Sequence, residues 1–200
     1  MPLNHHSTRS GLIAIALASL SMAAQAHTGH ETEGVVAGLI HPFGPDHLLA
    51  MLAVGVWSVA SLPKNQAWQG PSTFLLALIA GAVFGFSGVV PPFLETGISL
   101  SVVLFGVMLV LTVKPVPKPL GLGLIASAAA LHGLAHGAET PDSGFAVYAI
   151  GFLLTTAALH MSGVGIGLSI QRWMAERRHL ALRGLGTAVG VAGLYLFSRV

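Results

Sequence analysis

Between Lys64 and Lys114 the chain carries a single charged residue, Glu95, and between Lys118 and Arg172 only Glu139 and Asp142. Uncharged stretches of this length leave few folds open. A soluble domain carries about 25% charged residues, whereas this chain has 8% charged and 54% hydrophobic residues. A large soluble core does not account for the difference, because the outer surface would still have to face water. A surface facing lipid does. The expected fold class is an all-α polytopic membrane helix bundle, since the segments are too long and too uniformly apolar for the alternating strands of a barrel.

Six apolar segments predict six transmembrane helices: about 34–60, 72–90, 98–113, 120–139, 144–169 and 181–198. Small residues recur within them at helix-packing intervals, as in "GAVFG" and "GVGIG", which suits close helix contact without fixing a particular pair. Ahead of them, residues 1–26 have Arg9, an apolar run from Gly11, and Ala24 and Ala26 before a cut. This is the build of a cleavable signal peptide, leaving 27–200 as one transmembrane domain. His5 and His6 would be removed with it. Cleavage would make His27 the new terminus of "HTGHETE", where its amine, its imidazole and His30 form a candidate metal-capture tail. A plain polar tail is the alternative.

Lys64, Lys114, Lys118, Arg172, Arg177, Arg178 and Arg183 fall in or beside the first, third and fifth connections. Glu95, Glu139 and Asp142 fall in the second and fourth. The positive-inside rule puts the odd connections in the cytoplasm and the mature N-terminus outside, which matches an exported leader on a bacterial cytoplasmic (inner) membrane protein.

No basic run with interleaved aromatics is present, so nucleic acid is not an expected partner. Cysteine is absent, which removes disulfides, thiolate metal sites and cysteine nucleophiles. Histidine is abundant instead, ten residues against seven acidic ones. In "GLIHPFGPDHLLAM" the prolines and Gly44 break the first helix, so His41, Asp46 and His47 must face the bundle or a wet cavity. Asp46 begins the resumed helix, where an anion suits the helix dipole and is expected to cap the first turn.

In "LHGLAHGAE", His132, His136 and Glu139 lie on one helical stripe. Gly133 follows His132, so the general-base glutamate of an HExxH protease is missing and no enzyme is expected. Topology brings both motifs and Glu95 to the outer side, the arrangement of a cation entry site. The alternative is a packing network of satisfied histidines. His160 lies deeper, with Thr155, Thr156 and Met161 as neighbours for an inward polar path, and His179 belongs to the interface. The metal ligands expected are His41, Asp46, His47, His132, His136 and Glu139, with Glu95 and His160 as pathway residues.

"HPFGPDHLLAM" and "LHGLAHGAE" together resemble the paired signatures of the HupE/UreJ family of nickel/cobalt membrane proteins associated with hydrogenase and urease. The second motif matches HGxAHGxE at His132, Gly133, Ala135, His136, Gly137 and Glu139. The first has four residues between His41 and the Asp46–His47 pair where the family form has five. One helical residue fewer turns His41 by about 100° unless the prolines open the turn. The resemblance implies a secondary permease for Ni²⁺, with Co²⁺ as other cargo, feeding nickel-enzyme assembly proteins and needing no prosthetic group; the ligand chemistry leaves Zn²⁺ open as well. Imidazoles without thiolate suit Ni²⁺, Cu²⁺ or Zn²⁺ over Mg²⁺ or Ca²⁺. A haem-binding electron-transfer subunit and a non-conducting metal-binding accessory protein are the competing readings.

Overall fold

In the computed structural model, residues 34–113, 116–139 and 145–200 are described, and they contain helices and no strand. The segment expected to be a signal peptide, His27 and His30, Lys114 and Asp142 lie outside the described residues. The helices are α1 (Val35–Ile40), α2 (Pro45–Ser61), α3 (Gln69–Phe86), α4 (Leu94–Val110), α5 (Lys118–Ala138), α6 (Phe145–Trp173) and α7 (Arg178–Phe197). Each expected apolar segment coincides with a helix, the first with a broken one. Four helical segments, Lys64–Phe86, Lys118–Ala138, Ala146–Trp173 and Ala175–Phe197, are long and apolar enough to cross a membrane, and α1 with α2 make a fifth if the bent pair is one span. α4, with 17 residues, extends roughly 26 Å at 1.5 Å per residue, short of a hydrocarbon core of about 30 Å.

The break in the first segment follows from its sequence. Pro42 and Pro45 have no amide hydrogen to give the preceding turn, so α1 ends in a single 3-10 turn, His41–Phe43. Gly44, with ψ at 139°, then redirects the chain into α2, which opens on Pro45 at its first turn. The two halves meet at 73°. The amide of Gly44 donates to His41 O at 3.0 Å and that of Leu48 to Gly44 O at 2.8 Å, so the bend keeps backbone groups paired. The cap residue of α2 is Gly44, which offers no side chain. Asp46 therefore supports the first turn through its charge and place along the dipole rather than as the cap expected from the sequence.

Three pairings dominate the bundle: α3 with α5 and α2 with α6, which run parallel, and α4 with α7, which run antiparallel. Burial is inverted relative to a soluble protein. His132 and His160 are 0% exposed, while Leu76 is 70% exposed on the outer surface. Water gives no reason to hide imidazoles and display leucine, whereas lipid does. Association must then come from close packing. On α3, a side chain at Gly81 would strike the backbone of Ala130; on α5, one at Gly133 would strike the backbone of Leu78. The contact is reciprocal, and it draws α5 in until its histidines reach the bundle axis. Gly55 and Gly163 do the same for α2 and α6.

The two ends of the bundle differ. Lys118 Nζ donates to Gln66 Oε1 at 2.7 Å, so the first and third connections meet at one end. The start of α2 and the end of α5 meet at the other.

Candidate metal centre

Five of the six expected ligands converge into two overlapping groups, His41–His47–His136 and Asp46–His47–His132. Within each group the potential ligand atoms lie within 4.8 Å of one another. His47, at the second residue past Pro45, projects from the first turn of α2, and His132 and His136 reach it from successive turns of α5. All three are buried. The 3-10 turn returns His41 to the cluster, its ring 4.7 Å from that of His136 and 5.7 Å from that of His47. The shortened spacing thus does not exclude His41, because the residues between it and Asp46 are not continuous helix.

Hydrogen-bond partners assign the protons of the neutral rings. His47 Nδ1 lies 2.9 Å from Asp46 Oδ2. A carboxylate accepts, so Nδ1–H donates and Nε2 keeps its lone pair. Ser101 Oγ on α4 donates to Ile98 O at 2.6 Å and lies 2.9 Å from His132 Nε2. Its one hydrogen is used, so it accepts from His132 Nε2–H, and His132 Nδ1 keeps the lone pair. That atom is 3.4 Å from His47 Nε2, which also contacts His136 Nε2. Two lone pairs therefore face one another in a buried site, a repulsive arrangement until a cation lies between them. Asp46 and Ser101 hold the rings from behind, as outer partners of metal-bound histidines do.

Sequence reasoning did not single out Ser101. The only available signal was a hydroxyl inside the apolar run "SLSVVLF", and it gains meaning only through its contact with α5. Phe152 was also missed; its ring packs 4.4 Å from that of His136 and walls the cluster on the α6 side. Glu139 is the exposed C-cap of α5 and Glu95 stands exposed in the first turn of α4. Neither joins the close ligand groups among the described residues. His160 is buried on α6 and apart from both groups, separated from His132 by Phe74. His179 is exposed at the opposite end. Met161 is 61% exposed and turned away from the bundle, and Thr155 Oγ1 donates to Leu39 O at 3.0 Å, tying α1 to α6. Of the three expected companions of His160, only Thr156 is fully buried beside it.

The sequence matches the family described as HupE / UreJ protein over residues 15–196. The chain belongs to the HupE/UreJ family. It is 39% identical over 187 residues to Protein HupE of Rhizobium leguminosarum bv. viciae, covering 92% of this chain and 94% of that protein. No solved structure matches it. In this HupE/UreJ member the two histidine motifs are the segments that build the cluster.

Proposed function

We propose that this chain is a secondary transporter that takes up divalent nickel, with cobalt as a second cargo, across the bacterial cytoplasmic membrane and supplies hydrogenase or urease assembly. The observation that carries the reading is the convergence of His47 Nε2, His132 Nδ1 and His136 Nε2 in one buried place at one end of an apolar bundle. A late divalent cation is the ligand that such a nitrogen set selects. Membership of the HupE/UreJ family, with its association with nickel-dependent enzymes, supports the choice of nickel.

In this reading α4, lengthened by the 3-10 turn Leu111–Val113, crosses as a sixth span, and a signal peptide ends at Ala26. The basic connections face the cytoplasm, and the cluster faces outward as the entry site. His41 and Glu139 complete or orient the ligand set, with Glu95 and the tail histidines His27 and His30 gathering metal above it. Haem ligation is disfavoured at the cluster, since the His47 and His136 rings pack with centroids 4.5 Å apart and leave no room for a porphyrin between them.

The test is ⁶³Ni²⁺ uptake into vesicles containing only this protein. Replacing His132 or His136 by alanine should abolish saturable uptake while the protein still inserts, and His179→Ala should leave it unchanged. Uptake that survived both replacements would overturn the site. Binding without any flux in the unaltered protein would identify a non-conducting accessory protein.

A further inference from the structure

His160 lies on α6 two turns beyond Phe152, the residue that walls the cluster, or roughly 12 Å farther along the helix axis. Its ring is 0% exposed. Nδ1 is 2.8 Å from Thr156 O; a carbonyl only accepts, so Nδ1 carries the hydrogen and Nε2 of the neutral ring carries the lone pair. That Nε2 is buried with no hydrogen-bond partner, and so is the hydroxyl of Thr156 one turn away. An orphaned imidazole lone pair and an orphaned hydroxyl on one face of one helix are costly in an apolar interior. No packing requirement explains both, since leucine and valine would fill similar space without that cost.

Phe74 separates this place from the cluster. Its ring centroid is 4.8 Å from that of His160 and 5.9 Å from that of His132. Farther along the same helix, Gly167 and Gln171 line an open cavity with Thr112 and His179 at the basic end of the bundle. The orphaned pair therefore stands between the metal cluster and that cavity, behind one aromatic ring.

We propose that His160 Nε2 and Thr156 Oγ1 form a second, inner binding station for a late divalent cation, reached from the cluster past Phe74. The proposal rests on the transport reading above and adds to it a site of defined strength. One imidazole and one hydroxyl hold a cation less tightly than the several imidazole nitrogens of the cluster. A weaker inner station suits conduction, which needs each site to release what it binds.

The experiment uses the full chain reconstituted in sealed vesicles, with Ni²⁺ alone as probe. Bound Ni²⁺ per chain is measured by equilibrium dialysis, and uptake is measured as the fraction resistant to an external chelator. The unaltered protein should bind two Ni²⁺ ions of unequal affinity. His160→Ala should remove the weaker one, keep the ion that His132→Ala removes, and lower uptake at least tenfold. Thr156→Val, which preserves shape, should weaken the inner ion several-fold and leave the outer one unchanged. A single bound Ni²⁺, lost in His132→Ala and untouched in His160→Ala, overturns the inner station whether or not uptake falls, and leaves the outer site standing. No bound Ni²⁺ and no uptake in the unaltered protein overturns both.

Discussion

Ser101 illustrates how much a single hydroxyl can decide. By donating to Ile98 O and accepting from His132 Nε2–H, it turns the other ring nitrogen toward His47. Without it, His132 is free to adopt the opposite tautomer, and the lone pair leaves the site. Outer partners of metal ligands are typically worth 10–100-fold in affinity. Ser101→Ala should therefore weaken Ni²⁺ binding about tenfold in isothermal titration, with Ser101→Thr restoring most of it. Equal affinity in the alanine variant would show that His132 is oriented by packing alone. Asp46 has the same relation to His47, on the neighbouring helix.

At the scale of the element, the closest helix approaches are made at glycines. A leucine at Gly81 would collide with the Ala130 backbone, which cannot move without shifting α5 and both of its histidines. Overpacking of this kind typically costs about 1–3 kcal/mol. Gly81→Leu should therefore lower the unfolding temperature of the purified protein and its Ni²⁺ affinity together. Gly123 lies in the same helix, α5, with nothing within 4 Å of the position a side chain would take. Gly123→Ala should leave uptake unchanged and add up to about 1 kcal/mol through helix preference. Equal effects of the two substitutions would refute the packing account. The broken first helix shows the complementary device: two prolines and Gly44 end one helix and start another at 73°, and the corner is where His41, Asp46 and His47 gather.

For the whole molecule, the site is a set of bases at the mouth of an apolar bundle, so protons must compete with metal. Imidazole titrates near pH 6.5, and a protonated nitrogen cannot coordinate. Ni²⁺ affinity should fall as pH drops from about 7 to 5, and rise again on return. Uptake in vesicles with internal and external pH set separately measures this. A constant affinity across that range would reject a histidine-centred site, while dependence on the gradient at fixed external pH would identify proton coupling. Orientation has its own check, because the chain has no native cysteine. A cysteine at Ser87 should react with an impermeant maleimide in intact spheroplasts, and one at Asn65 only after permeabilisation. The reverse pattern would put the cluster on the cytoplasmic side.

The helical segments, the break at Pro42–Pro45 and the two histidine motifs were all legible in the sequence. Each depends on local chemistry: hydropathy over about 20 residues, the missing amide of proline, and the 3.6-residue repeat that aligns His132 with His136. Lengths were less secure. α4 is shorter than a full crossing by itself because its helix begins at Leu94 and gives way to a 3-10 turn at Leu111, a change no hydropathy window detects. Tertiary structure alone decided that His41 rejoins the cluster despite the missing residue, and that Ser101 holds His132 from α4. It also turned Met161 outward and left Thr156 beside His160. These outcomes depend on which helix faces come within a few ångströms across gaps of 31 to 89 residues, in a bundle whose closest backbone approaches are reciprocal glycine contacts between other helix pairs. A sequence specifies which residues are small enough to permit such contacts; only the packed bundle selects which of them meet.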